Sequence, residues 1–298
     1  MPGRSRPVEV GAIRGVFEMR KSLLAVVVMA LVAAACASST VGTGGSPTTS
    51  TTSCDKASLH LLNAGQLTIA TDSPVYSPWF KKNTPSNGMG YESALAYAVA
   101  GQLGFSRSEV TWVVEPFNKS YAPGPKDFDF DINEISITPE RSQVVSFSTG
   151  YYDDVQALVA VKGTPIATAT TVAGLKPYKL GDQIGSTSLQ FISTVIQPSQ
   201  QPAVFDTLNE AKSSLNAGQI DGVVTDLPTA DYFQYQVKNG TVVGRFAPAG
   251  EQFGLLFQKG NPLVTCVDQA LATLATNGTI QQLQDTWLQS YAAYPVIK

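Results

Sequence analysis

The chain has 298 residues, of which 43% are hydrophobic and 14% charged, and its formal net charge is −3. This is the composition of a globular protein long enough for one large domain or two smaller ones. Because there is no basic excess, the composition argues against binding of nucleic acid.

The N-terminus has the pattern of a secretory leader. Met19, Arg20 and Lys21 form a short basic region, and an uncharged apolar run follows at residues 23–35. Such a run is too short for a transmembrane helix and is typical of a signal peptide. We therefore expect residues 1–35 to be a signal peptide, with Met19 as a hypothetical start of translation.

Small residues stand directly before Cys36, in an arrangement similar to a bacterial lipobox, which predicts a lipid-modified cysteine. Ala33 occupies the position where leucine is usual, so ordinary cleavage after an Ala-x-Ala site is the alternative. Residues 36–53 contain no charge and are rich in Ser, Thr and Gly, which predicts a flexible tether. Without residues 1–35, five basic and two acidic residues are lost and the net charge becomes −6. This acidic balance argues against electrostatic binding to anionic polymers or bilayers.

Patterns of strands and helices alternate after the tether. This alternation predicts an α/β fold with a largely parallel sheet. Strands are expected at or near residues 67–70, 110–114, 128–132, 155–161, 179–182, 204, 223–224 and 254–257, and helices at 92–103, 187–196, 208–217, 263–277 and 280–291.

The region around residue 134 gives the sharpest local prediction. Apolar residues alternate with aspartates at 128–132, but the apolar positions then change parity, so a bulge or strand end is expected at residues 133–134. Thr138-Pro139 predicts the start of a helix whose first turn contains Arg141. The alternative for Arg141 is a surface side chain paired with Glu140 or another acid.

Besides Cys36, two cysteines follow the leader, Cys54 and Cys266. Export implies an oxidising compartment, which favours a disulfide between them. Two separate buried thiols are the alternative, because sequence does not supply the geometry that decides between them.

Six short motifs occur in a fixed order along the chain, and each is weak alone. They are ATD at 70–72, GYE at 90–92, the block that begins ITPER at 137–152, GSTS at 185–188, DGVVTD at 221–226 and FGLLFQKGNP at 253–262. In this order they resemble the family 3 periplasmic solute-binding proteins, which deliver amino acids to ABC importers. The resemblance covers about residues 60–294.

The resemblance implies a two-lobe periplasmic-binding-protein fold (type II-like) of the α/β class, with two crossover hinge strands. The first lobe would comprise residues 54–154 plus 251–298 and the second lobe residues 155–250. The hinges would lie near residues 152–156 and 248–252.

A free amino acid enclosed by protein must have both of its charges paired, because unpaired buried charges are costly. The resemblance implies that Arg141 holds the α-carboxylate, helped by backbone N–H groups at the helix start containing Ser186 and Thr187. It implies that Asp226 and Ser136 take the ammonium. The simpler explanations are a surface arginine, a helix cap and a turn aspartate.

The resemblance further implies aromatic walls from Tyr76 and Phe117, with Trp79 as a third. Core packing is the alternative for each ring. Asp72 matches a position that reads the far end of a polar or basic side chain. Glu134 stands where the family commonly has a small residue, so it is either an additional acid in the pocket or points away from it.

The implied function is an extracytoplasmic lipoprotein on the outer face of the bacterial cell membrane that captures a polar or basic amino acid and docks on an ABC permease. We expect a monomer with no cofactor, no metal and no nucleic-acid partner. A secreted cyclohexadienyl or arogenate dehydratase-like enzyme and a ligand-sensing adapter are the alternatives. The single histidine, His60, lies at the edge of the domain, so the sequence offers no evident histidine base.

Overall fold

The structure, a computed structural model, describes residues 53–289 and 291–298. The expectations for the leader, Cys36 and most of the tether lie outside these residues. Within them, ten strands form two five-stranded sheets. The strands are β1 (Leu67–Thr71), β2 (Val110–Val114), β3 (Phe130–Asp131), β4 (Val145–Asp153), β5 (Gln156–Val161), β6 (Leu180–Gln183), β7 (Ala203–Phe205), β8 (Gly222–Asp226), β9 (Gly240–Arg245) and β10 (Gln252–Gln258).

Helices cover the faces of both sheets, and none in the described part of the chain is long and apolar enough to cross a membrane. The α-helices are α1 (Tyr91–Gln102), α2 (Phe117–Ser120), α3 (Pro139–Val144), α4 (Thr187–Phe191), α5 (Leu208–Asn216), α6 (Leu227–Phe233), α7 (Leu263–Thr276) and α8 (Thr279–Trp287). Short 3-10 turns lie at Lys56–Ser58, Pro85–Asn87, Arg107–Glu109, Pro165–Thr168 and Ala173–Leu175. The expected helix at residues 187–196 is divided, because α4 continues as a π-helix at Ile192–Ile196.

The strand order is β2-β1-β3-β10-β4 in the first sheet and β7-β6-β8-β5-β9 in the second. Both sheets are mixed rather than largely parallel. In the first, β10 is antiparallel to β3 and β4, and in the second, β5 is antiparallel to β8 and β9. β5 directly follows β4 and β10 directly follows β9, so each of these antiparallel strands enters its sheet from the other lobe. Each sheet with its helices forms one lobe.

Separate apolar cores stabilise the two lobes. The first core packs α1 and α7 against the first sheet, with Trp79, Tyr91 and Phe253 fully buried. The second lobe has a cluster on each face of its sheet, around Phe233 and around Phe246. The Cys54–Cys266 disulfide is present, with a Cα–Cα distance of 5.4 Å, and it ties the start of the described chain to α7.

The strand end expected at residues 133–134 is confirmed. β3 stops at Asp131, and Glu134 adopts a left-handed backbone with φ of 52°. Such a φ is uncommon for a residue with a side chain, so the surrounding structure must hold it. The expected helix start is also confirmed, because Thr138 Oγ1 accepts the Arg141 N–H at 3.1 Å.

The last residues cross to the second lobe, although the sequence had grouped residues 251–298 with the first. The Ile297 N–H donates to Arg245 O at 2.9 Å, and the Arg245 N–H donates to Pro295 O at 2.9 Å. Arg245 ends β9, which is an edge strand, and an edge strand offers free N–H and C=O groups to any extended segment that reaches it. The buried Ile297 side chain then joins the core around Phe246.

Candidate ligand-binding site

A cleft lies between the lobes, with an empty volume of about 510 Å³ that includes space open to solvent. Most of the residues predicted for a binding site line it. The first lobe contributes Asp72, Pro74, Tyr76, Phe117, Asn133 and Glu134, and the second lobe contributes Asp182, Gln183, Ser186, Thr187, Ser188, Leu208, Thr225 and Asp226. Many of them follow or end strands of the parallel part of each sheet, the usual position of a site in an α/β fold.

Arg141 and Ser136 do not line this cleft. Arg141 is only 7% exposed, which rules out the alternative of a surface arginine. Its Nη1 donates to Ser136 O at 2.8 Å in its own lobe, and its Nη2 donates to Gly185 O at 2.9 Å in the other. Arg141 therefore joins the two lobes, beside a second cavity that it lines with Tyr121 and Glu140.

Two aromatic rings lie close to this guanidinium. Its central carbon is 4.5 Å from the Tyr121 ring centroid and 5.5 Å from that of Phe117, distances within the range of cation–π contacts. Burial lowers the pKa of Arg141, whereas Tyr121, Glu251 and Asp226 act in the opposite direction.

Gly185 is required where the second lobe meets Arg141. Its φ is 74°, and a Cβ on it would lie 2.0 Å from Tyr121 Oη. The next residue, Ser186, caps α4, since its Oγ accepts the Leu189 N–H at 3.0 Å. The helix-cap explanation of Ser186 is thus correct, and it is compatible with lining the cleft. Thr187 Oγ1 lies 3.1 Å from Ser136 Oγ and forms a second bond between the lobes.

Asp226 belongs to a cluster of three carboxyl groups around the side-chain amide of Gln156. The Gln156 Nε2 lies 3.2 Å from Asp154 Oδ2, 3.2 Å from Asp226 Oδ1 and 3.1 Å from Glu251 Oε2. Asp154 and Glu251 stand at the two chain crossings, so this cluster lies at the junction of both. Glu251 also accepts the Ser136 hydroxyl at 2.6 Å.

The carboxyl groups of this cluster cannot all be ionised at low cost. One amide supplies two N–H donors, and burial with mutual repulsion favours the neutral acids. Burial, followed by the charge of Glu251, raises the pKa of Asp226 to about 7. Burial and the neighbouring Asp226 and Glu251 raise the pKa of Asp154 well above its usual range.

Glu134 extends the acidic lining toward the first lobe. Its Oε2 accepts the Thr229 hydroxyl at 3.1 Å, and Thr229 Oγ1 accepts the Trp79 indole N–H at 2.7 Å. The Glu134 N–H donates to Glu92 Oε1 at 2.7 Å. Burial, followed by the charges of Glu92 and Asp226, raises the pKa of Glu134 well above its usual range. Among the described residues, the cleft is therefore lined by four carboxyl groups and by no lysine or arginine.

Two of the predicted aromatic residues border the cleft. Tyr76 packs edge-on against Phe233 at 5.5 Å between ring centroids, and Phe117 packs edge-on against Tyr121 at 5.6 Å. Trp79, the third expected wall, is instead fully buried in the first core. For Trp79 the core-packing alternative is correct.

Several residues at the cleft went unnoticed in the sequence. Gln156 and Asp182 are polar residues within otherwise apolar strand patterns, and each is no more than 5% exposed. A polar residue inside a buried strand could therefore have marked Gln156 and Asp182 as candidates for the site. Thr229 and Glu251 carry no such signal, because their importance depends on contacts with residues about a hundred positions away.

Three kinds of catalytic group can be looked for among the described residues: a metal site, a histidine base and a carboxyl group of suitable pKa. These residues contain no group of three or more His, Cys, Asp or Glu side chains suited to a metal ion. His60 is exposed and lines a different cavity. Burial raises the pKa of Asp226 to about 7 and that of Asp182 to about 8, so both of these cleft residues suit general acid–base chemistry.

Comparison with known proteins agrees with the motifs. The sequence model of one family, the bacterial extracellular solute-binding proteins, family 3, matches residues 67–290. This span includes all ten strands and eight helices described above. The chain is 28% identical over 222 residues to the ABC transporter arginine-binding protein 1 of Escherichia coli (strain K12), covering 72% of this chain and 88% of that protein.

Two solved structures extend the similarity to the fold. An ancestral arginine-binding protein bound to arginine superposes with a TM-score of 0.64 and 30% identity, over 76% of this chain and 99% of that one. An ancestral amino acid-binding protein that is a precursor of cyclohexadienyl dehydratase gives a TM-score of 0.63 and 29% identity, over 76% of this chain and 96% of that one. These matches confirm the expected two-lobe periplasmic-binding-protein fold.

Proposed function

Because the chain belongs to the bacterial extracellular solute-binding proteins of family 3, we propose that it captures a basic amino acid outside the cytoplasm and delivers it to an ABC importer. The observation that supports a basic ligand is the charge of the cleft. Four carboxyl groups line it, and the nearest buried cation, Arg141, lies beside it rather than in it. A ligand with two positive charges compensates such a lining better than a neutral or acidic one.

The charged groups of the ligand have distinct partners in this proposal. Asp226, supported by Ser136 and the Gln156 cluster, pairs with the α-ammonium. Arg141 reaches the α-carboxylate from beside the cleft, since the two backbone carbonyls that it already contacts engage only part of its five N–H donors. Ser186 and Thr187 add hydroxyl and backbone groups from the second lobe.

The side chain of the ligand would extend toward the first lobe. Tyr76 and Phe117 cover its aliphatic part, and Asp72 receives its distal cation. Burial raises the pKa of Asp72, so its ionised form gains from a cationic partner.

Closure of the lobes over the ligand follows from bonds that already join them. Arg141 to Gly185, Ser136 to Thr187, and Thr229 to Glu134 each connect the two lobes. We infer hinges at residues 152–156 and 248–252, where the chain crosses between the sheets. Lipid modification of Cys36 and the tether at 36–53 would hold the receptor, as a monomer, near its permease.

A screen of free amino acids tests this function. Purified protein is melted with each common L-amino acid and with ornithine, and hits are measured by calorimetry. A ligand at a hundred times its Kd stabilises by about 2.7 kcal/mol, which corresponds to roughly 5–10 °C for a chain of this size. Basic amino acids should give the large shifts. No shift with any amino acid, or a larger shift with glutamate than with arginine or lysine, would refute the proposal.

An enzyme remains the second candidate because one observation favours it. Asp226 has a pKa of about 7 and lies in a cleft whose fold matches a precursor of cyclohexadienyl dehydratase. Incubation with prephenate and arogenate decides between the two functions. Turnover that is lost in Asp226→Asn would favour the enzyme.

A further inference from the structure

We propose that Glu134 is a specificity residue that selects ligands with a cationic side chain and exchanges a bound proton for that cation. This inference rests on the proposed function and concerns the same cleft. It starts from the position of Glu134, where resemblance to the family predicts a small residue.

The backbone and neighbours of Glu134 hold its carboxyl group at the cleft. Its φ of 52° re-aims the side chain after β3, and its N–H is fixed by Glu92 on α1. Oε2 accepts the Thr229 hydroxyl. Oε1 accepts no hydrogen bond from the residues that the structure describes, and Glu134 lines the cleft. One oxygen is therefore anchored and the other is available to a ligand.

The groups that face Glu134 place it between the two ends of the cleft. They are Glu92 on α1, Asp226 at the end of β8 and Asp72 after β1, together with Tyr76 and with Tyr151 on β4. None of them is a cation. Asp226 marks the end assigned to the ammonium, and Asp72 with Tyr76 marks the end assigned to the side chain.

The carboxyl groups of the cleft need a positive charge to balance them, and a basic ligand supplies it. A neutral amino acid brings an ammonium and a carboxylate, and Arg141 offsets only the carboxylate. Four carboxyl groups then share one positive charge, so most must keep protons. A basic amino acid brings a second positive charge, which stabilises the ionised form of Glu134.

Proton release follows from the same balance. In the empty cleft, burial and the acidic neighbours favour the neutral form of Glu134. A cation placed beside it favours the ionised form, so the proton leaves as the ligand enters. The affinity for a basic amino acid must therefore fall as the pH is lowered, more steeply than the affinity for a neutral isostere.

A different role, a latch between the lobes through Thr229, makes a distinct prediction. Glu134→Gln keeps an oxygen that can accept the Thr229 hydroxyl but removes the charge. Thr229→Val removes the hydroxyl but keeps the charge. A latch affects all ligands equally, whereas a charge-selecting residue discriminates among them.

The test uses the pairs L-arginine with L-citrulline and L-lysine with Nε-acetyl-L-lysine, each a cation with its neutral counterpart. Calorimetry on the wild type, Glu134→Gln, Thr229→Val and the exposed control Asp127→Asn gives each affinity. Repetition near pH 7 in buffers of different ionisation enthalpy gives the protons released. We expect Glu134→Gln to weaken the basic ligand roughly tenfold to a hundredfold and the neutral one by less than about threefold.

The proton count provides the second readout. The wild type should release more protons with the basic ligand than with its neutral counterpart. This difference should be clearly smaller in Glu134→Gln, where only Asp72 remains to lose a proton to the distal cation. Equal weakening of both ligands in Glu134→Gln, or an unchanged difference in proton release, overturns the inference while leaving the receptor function intact. If the wild type binds no amino acid at all, the proposed function itself fails.

Discussion

Asp226→Asn should stabilise the empty protein at alkaline pH while weakening ligand binding. The carboxyl group of Asp226 lies beside Asp154 and Glu251, and its pKa is raised from 3.8 to about 7. The folded state therefore binds more protons than the unfolded state between these values. The contribution of this group to the free energy of unfolding is fully present below about pH 4 and is lost as the pH rises to about 7.

The size of this effect follows from the same two pKa values. A shift from 3.8 to about 7 corresponds to about 4 kcal/mol at 1.36 kcal/mol per pH unit. Asparagine keeps an oxygen that can accept the Gln156 N–H, but it carries no charge to be repelled. We therefore expect Asp226→Asn to be more stable than the wild type by about 2–4 kcal/mol at pH 8 and by less than about 1 kcal/mol near pH 4.

Urea unfolding of the empty protein at both pH values measures this difference. Asp206→Asn, at an exposed site, serves as the control and should change stability little at either pH. The reasoning is refuted if Asp226→Asn is no more stable than the wild type at pH 8, or if its gain is equally large near pH 4. A stabilising change that abolishes binding would identify Asp226 as a residue retained for function at a cost in stability.

Three further changes test other parts of the structure. Arg141→Lys removes the fork that reaches both Ser136 O and Gly185 O, so calorimetry should show binding weakened by roughly a hundredfold, whereas unchanged affinity would contradict the role of Arg141. Gly185→Ala should cost about 2 kcal/mol in thermal or urea unfolding, because its φ is positive and its Cβ would clash with Tyr121; full stability would show that this loop adapts. Replacing Cys54 and Cys266 together by serine removes a disulfide that spans 212 positions and should lower the free energy of unfolding by about 2–5 kcal/mol. Compared with the reduced wild type, the double variant should show no loss of stability.

The local features of the site could be read from the sequence. The change of apolar parity at residues 133–134 predicted the strand end, and Thr138-Pro139 predicted the helix that carries Arg141. Both depend on backbone geometry and hydrogen bonds between neighbouring residues, which side-chain periodicity and capping residues encode directly. The order of the motifs also gave the two-lobe fold, because that order follows the succession of strands and their loops.

The electrostatic character of the cleft was decided by tertiary structure alone. Gln156 meets Asp226 and Glu251 across 70 and 95 positions, and Arg141 meets Gly185 across 44. No local pattern encodes such encounters, since they depend on where two chain crossings and two sheets bring the strands together. The pairing of the last residues with the edge strand β9 arose in the same way. The sequence by itself indicated which residues are candidates for binding an amino acid. The folding of two lobes onto each other determined that, in the described part of the chain, four carboxyl groups line one cleft without a lysine or arginine.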